Sequence, residues 1–226
     1  TGARAAVPPI PGLLASDPLT NESVFDLREK PESLAILGAG AIGCELAQVF
    51  ARLGVRVELF ELATRVLPNE SELASATVAQ ALTQAGVRIH TGHAVREIKN
   101  GGQVVTDQGN IECERVLVAL GRQPNTDGMK LADAKVEVDQ RGFIVTDNKL
   151  RTTNKKIFAA GDCAAALQFT HHADAQARVL VQNALFPATA KVDGLVVPHC
   201  TYTQPEVASV GASAEQLRAF GTDYDE

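Results

Sequence analysis

The run Gly38-Ala39-Gly40-Ala41-Ile42-Gly43 constrains this chain more than any other stretch of it. Three glycines at this spacing are weak evidence alone. Here they follow a short apolar run, Leu34–Leu37, and open a segment, Ile42 to Leu53, in which Ile42, Leu46, Val49, Phe50 and Leu53 recur on one helical face. Gly54 stops that helix, and Val55–Phe60 reads as the next strand. A βαβ unit with its glycines at the first turn is the setting in which such a motif holds a dinucleotide. Gly38 permits the tight turn, Gly40 lets the backbone approach a pyrophosphate, and Gly43 allows the helix to pack closely on the sheet. The free N–H groups of the helix start, at Ala41 and Ile42, face the phosphates. Glu61 follows about 20 residues on, where a carboxylate accepts from ribose hydroxyls and repels a 2′-phosphate, which favours NAD over NADP. Arg65 lies near enough to soften that preference. The same residues also fit a glycine-rich turn that only packs a helix on a sheet, with Glu61 as a solvated carboxylate at a strand end.

The pattern continues as α/β. Ser71 to Ala85 reads as a second helix ended by Gly86, and Val87–Ile89 as a third strand. Val95–Lys99 and Gln103–Thr106 flank Asn100-Gly101-Gly102, a hairpin signal, and a further turn at 107–110 leads to Ile111–Cys113. Arg115–Leu120 reads as a buried strand, Phe143–Val145 and Ile157–Ala160 as further strands, and Ala173 to Leu185 as a helix. Strands around His199–Tyr202 and Val207–Val210 precede a helix from Ser213 to Ala219, with Ser213 as its N-cap. Residues 1–33 are punctuated by Pro8, Pro9, Pro11 and Pro18 and hold at most a helical turn within Asn21–Leu27.

The bulk properties exclude several classes. A net charge of -6 without a basic stripe argues against nucleic acid. No apolar run reaches the length of a membrane span, and no signal-peptide pattern opens the chain, so a cytoplasmic protein with reduced thiols is expected. Cys44, Cys113, Cys163 and Cys200 form no CxxC pair, and neither a metal site nor a disulfide framework is indicated. The chain opens without Met and stops just after a helix, so both ends read as cut from a longer protein.

A second dinucleotide signature lies downstream. The strand-like run Ile157-Phe158-Ala159-Ala160 ends in Gly161-Asp162, and Arg115–Leu120 runs into Gly121-Arg122-Gln123-Pro124-Asn125. With these motifs in this order, the whole chain resembles the pyridine nucleotide-disulfide oxidoreductases, nearest to the mercuric reductase and dihydrolipoyl dehydrogenase branch. The resemblance implies a Rossmann-like NAD-binding domain (34–149) inserted in an FAD-binding domain. Residues 1–33 would be the end of the first FAD segment with a linker, and 150–192 the second FAD segment. Residues 193–226, with Tyr202–Gly211, would start an α+β dimer-interface domain.

Residue roles follow from the same resemblance. Asp162, after Gly161, would bond a hydroxyl of the flavin ribityl chain; it is equally suited to cap a helix. Glu45 would lie near the nicotinamide carboxamide, or be an ordinary first-turn carboxylate. Gly121 and Arg122 would lie near bound NAD, with a simple salt bridge as the alternative for Arg122. Thr170 and His171, in Phe169–Ala173, would sit where a helix start faces the flavin; the alternative for His171 and His172 is loop histidines without a task, favoured for His172. Ala41 stands where some relatives carry a Tyr lid. The family's Cys-x4-Cys pair, its first flavin glycine motif and its C-terminal His-Glu pair are absent, so no catalytic residue is assigned in this fragment. The implied whole is a homodimer using FAD and NAD to pass hydride from nicotinamide to flavin and on to a disulfide or metal-ion acceptor. A flavin NADH oxidase or transhydrogenase without a redox disulfide, and a non-catalytic NAD-binding module, are the alternatives.

Overall fold

The computed structural model describes residues 1–99, 102–164, 167–187 and 189–225. In chain order its strands are β1 (Ala3–Ala5), β2 (Ser33–Leu37), β3 (Arg56–Glu61), β4 (Arg88–Thr91), β5 (Val95–Lys99), β6 (Gln103–Thr106), β7 (Gly109–Glu112), β8 (Arg115–Val118), β9 (Arg122–Pro124), β10 (His199–Thr201) and β11 (Val207–Ser209). Its helices are α1 (Ala41–Arg52), α2 (Glu72–Gln84), α3 (Thr170–Leu185) and α4 (Ala214–Ala219). The chain divides into two compact units, Ala5–Gly121 with Cys200–Glu226, and Thr1–Arg4 with Arg122–His199.

The first unit is built on a parallel sheet in the order β4-β3-β2-β8, the arrangement of a dinucleotide-binding half. Both faces are covered, so β2 is buried at every residue and reads as a continuous apolar run rather than an alternating one. Its period of two still sorts the side chains. Leu34 and Ile36 join Val57, Leu59 and Leu117 in the core that also takes in α1 and α2. Ala35 and Leu37 join Phe60, Val116 and Val118 in a second core, closed by Ile98 and Val104 of the antiparallel sheet β5-β6-β7. Helix α2 is capped by Ser71, whose hydroxyl accepts from Ala74 N–H, and α4 by a reciprocal capping box between Ser213 and Gln216.

Helix α1 turns a different face inward from the one its apolar spacing suggests. Gly43, Cys44, Ala47 and Gln48 are buried, whereas Val49 is 50% and Leu53 58% exposed; Leu46 and Phe50 are partly buried at the core's edge. The small residues win because the glycine turn draws the helix onto the sheet. The hairpin turn expected at Asn100-Gly101 lies outside the described residues.

In the second unit β1 pairs with β9. The expected strands at Phe143–Val145 and Ile157–Ala160 do not form ladders. Each makes a single bridge, Val138 with Ile144 and Arg151 with Phe158. Between them the carboxylate of Asp147 gathers the N–H groups of Lys149 and Arg151 and the Arg151 guanidinium, curling the chain into a turn in which Leu150 takes φ 65°.

Candidate functional site

The glycine motif sits at the carboxyl end of β2, next to the point where the strand order reverses between β2 and β8, where open α/β sheets bind ligands. Gly38 has φ +101°, and a Cβ there would lie 2.4 Å from the Ala119 carbonyl oxygen. A Cβ on Gly43 would lie 1.9 Å from the Gly38 carbonyl oxygen, so the helix approaches the turn as closely as glycine allows. At Gly40 a Cβ would meet nothing within 4 Å. No side chain caps α1 at Gly40, which leaves the first amides of the helix, including those of Ala41 and Ile42, free for an anion.

Glu61 ends β3 and holds this turn in place. Its Oε2 accepts from Ala39 N–H at 2.8 Å and its Oε1 from Ala63 N–H at 2.9 Å. A carboxylate has about four acceptor positions, so two bonds leave capacity for ribose hydroxyls. Beside it a cavity of about 380 Å³ is lined by Leu37, Gly38, Phe60, Leu62, His93, Val95 and Leu120, among others. His93 belongs to no motif, and spacing gave no sign of it as a lining residue.

Arg65 is folded back on its own loop. Its Nη2 donates to the Pro68 carbonyl at 2.9 Å, while Nη1 is buried without a partner among the described residues. Glu45, in the second turn of α1, accepts the Tyr202 N–H at 2.8 Å, and Gln48, one turn on, exchanges two bonds with the backbone of Gln204. The segment resembling an interface domain is thus stitched to α1 by these two side chains. Cys44 lies beneath the motif; burial, which outweighs the opposing effect of the Leu67 backbone, pushes its thiol up to about 12, with Glu61 and Glu45 adding to the rise.

In the second unit, Arg122 lies on β9, directly after Gly121. Its Nη2 donates to the Ala3 carbonyl at 2.7 Å and lies 3.3 Å from Asp162 Oδ2. Its Nε is buried with no partner among the described residues. Asp162 caps no part of α3, which starts at Thr170 after Phe169 and has no side-chain cap. The helix begins before the expected Ala173, so His171 and His172 are helical residues, not loop ones. His171 is exposed, with Nε2 2.6 Å from the Pro198 carbonyl. His172 is buried; its Nδ1 meets the Leu167 carbonyl at 2.8 Å and its Nε2 meets Gln176 Nε2 at 3.2 Å. Gln176 in turn accepts the Gly161 N–H at 2.7 Å. A carbonyl only accepts, so His172 carries its proton on Nδ1 and receives the Gln176 amide on Nε2. This relay pins the Gly161-Asp162 turn to α3. Gln176 was not foreseen; its only sign in the sequence is an amide one turn after His172.

The geometry fits two nucleotide groups. The uncapped helix start, the open space at Gly40 and the neighbouring cavity suit a dinucleotide. The carboxylate of Asp162 beside an orphaned guanidinium N–H suits a polyol with both donor and acceptor hydroxyls. Among the described residues no cluster of side chains could hold a metal ion, and no helix is long and apolar enough to cross a membrane.

Comparison with known proteins agrees in sequence and fold. The chain is 36% identical over 230 residues to a mercuric reductase of Staphylococcus aureus, covering 99% of this chain and 42% of that protein. It is 38% identical over 206 residues to a dihydrolipoyl dehydrogenase of Chlamydia muridarum, covering 90% and 44%. The structure of the HOCl-induced flavoprotein disulfide reductase RclA from Escherichia coli superposes with a TM-score of 0.89 at 34% identity, over 99% of this chain and 52% of that one. The chain therefore spans about half the length of the relatives it matches. The family profile described as pyridine nucleotide-disulphide oxidoreductase matches residues 1–177, and the chain belongs to that family.

Proposed function

We propose that this chain is the nicotinamide-binding part, and one wall of the flavin-binding part, of an FAD-dependent, NAD(H)-linked reductase of a disulfide or a metal ion. The observation that carries the reading is the Glu61-braced turn: a glycine loop at a sheet's switch point, an uncapped helix start and an adjoining cavity. When bound, the nicotinamide supplies hydride and the flavin accepts it.

The residues of the chain have distinct tasks in this account. The first amides of α1 hold the pyrophosphate, and Glu61 receives the ribose hydroxyls and disfavours a 2′-phosphate. Glu45 and Gly121 lie towards the nicotinamide end. Asp162 accepts from a ribityl hydroxyl, and Arg122 orients it. The start of α3 at Thr170 and His171 presents amides to developing negative charge on the flavin. The intact protein is a homodimer through a domain that begins near residue 193, and it works in the cytoplasm.

Calorimetric titration of the chain with NADH and NADPH tests the reading. NADH binding that weakens at least about tenfold in Gly40→Val, with NADPH weaker than NADH, supports it. Absence of any NADH binding overturns it.

A further inference from the structure

Behind the cavity lies an ion cluster that the motifs do not account for. The period of two sets Arg56, Glu58 and Phe60 on one face of β3, and the parallel register puts Arg88 opposite Glu58 and His90 opposite Phe60 on β4. Glu58 is fully buried. Its Oε1 receives Arg56 Nη1 at 3.2 Å and Arg88 Nη1 at 3.0 Å, and its Oε2 lies 2.8 Å from His90 Nε2. Such a buried carboxylate holds its partners firmly, because without them its charge would be stranded in the core. The His90 ring, fixed in this way, stacks on Phe60 with centroids 4.8 Å apart, and meets the His93 ring edge to face at 5.2 Å. Phe60 and His93 both line the cavity. The cluster therefore sets the position of two rings of the cavity wall.

The tautomer of the neutral His93 ring follows from its partner. Nδ1 lies 2.9 Å from the Thr91 carbonyl oxygen, which only accepts, so Nδ1 carries the proton. In the neutral ring Nε2 is then an acceptor, and among the described residues nothing pairs with it. Leu37, Leu62, Val95 and Leu120 make much of the remaining lining apolar, and Arg96 there offers only donors. In an apolar pocket a few placed polar groups fix the orientation of a planar ligand.

We propose that His93 is a specificity residue for the purine of the bound dinucleotide, its Nε2 accepting the 6-amino group of adenine. The proposal rests on reading this cavity as part of the NAD(H) site. A purine with a 6-oxo group presents an acceptor to the same acceptor and leaves both unpaired, which costs about tenfold or more in affinity.

The test is a titration of the chain with NADH and with reduced nicotinamide hypoxanthine dinucleotide, followed by nicotinamide fluorescence. Wild type, His93→Gln and His93→Leu are compared, with thermal melts to verify that each is folded. The expected result is a preference for NADH of about tenfold in wild type. That preference shrinks in His93→Gln, whose amide can turn either its accepting oxygen or its donating NH2 to the purine, and is abolished in His93→Leu. A folded His93→Leu that keeps the preference overturns the role of His93 and leaves the NAD(H) site standing. If wild type binds neither dinucleotide, the site reading fails and the proposal falls with it.

Discussion

Arg122 and Asp162 approach to 3.3 Å, Nη2 to Oδ2, although they come from motifs that the family resemblance assigns to different cofactors. On this pairing we propose that Arg122 steadies the Asp162 carboxylate, a different task from the place near NAD that the resemblance implies. Its remaining buried N–H has no partner among the described residues, an arrangement that natural structures rarely leave unexplained. In the intact protein, Arg122→Met is expected to weaken FAD retention by about tenfold, the scale of a hydrogen bond to a charged group. Flavin release on dilution measures it. Unchanged retention would return Arg122 to a purely structural role.

Glu61 is expected to matter twice, because it both braces the loop and faces the ribose. Glu61→Ala removes the acceptors of Ala39 N–H and Ala63 N–H and should lower thermal stability by about 1–3 kcal/mol while weakening NADH binding. Its NADH-to-NADPH preference should shrink as the carboxylate's repulsion is lost. Differential scanning fluorimetry and titration with both dinucleotides separate the two effects.

Gly43→Ala places a methyl 1.9 Å from the Gly38 carbonyl oxygen and so forces α1 off the sheet. A loss of about 1–3 kcal/mol in unfolding free energy is expected from such overpacking, read from denaturant melts. Gly40→Ala, which meets nothing within 4 Å, should melt like wild type yet bind dinucleotide more weakly.

The buried thiols give the fold an alkaline limit. Burial first, and Glu58 next, push Cys113 up to about 11, and burial lifts Cys44 to about 12. In the unfolded chain a thiol ionises near its ordinary value, about 8.5. The folded state then binds more protons than the unfolded one, so stability falls as pH rises from that value towards 11–12. Below it these thiols contribute no pH dependence, and they should resist alkylation at pH 8 until the protein is denatured. Mass spectrometry of pulse-alkylated protein checks this; rapid labelling of Cys44 under native conditions would contradict it.

At the acid end the sign reverses for Asp147. Desolvation alone would raise its pKa, but bonds from the Arg151 backbone and side chain and the Lys149 backbone outweigh it and hold the carboxyl below its usual range. Its contribution is present above the ordinary carboxylate value and is lost as pH falls through the lowered one. Asp147→Asn should flatten that part of the acid-unfolding curve, measured by circular dichroism.

The parallel α/β unit was legible because its elements announce themselves locally. The glycine turn, the cap at Ser213 and the apolar runs of β2 and β3 each act over a few residues. The pairing of β1 with β9 was not legible, since it joins two three-residue strands far apart in the chain and neither shows a period. Phe143–Val145 and Ile157–Ala160 have the composition of strands but lack a continuous partner, and composition does not reveal a missing neighbour. The buried face of α1 was misjudged because size, not hydrophobicity, decides which side can approach the turn. The glycine motif and Glu61 were picked out by spacing, and the structure brings them to one turn. The roles of Gln176 and His93 depend on contacts across elements, such as Gln176 with Gly161 and His93 with His90, that no spacing rule encodes.

The decisive experiment is a crystal structure of the chain with NADH. The pyrophosphate is expected at the amides that open α1, a ribose on Glu61 and the adenine in the cavity beside Phe60 and His93. Dinucleotide bound elsewhere on the chain, with that cavity empty, would contradict that placement.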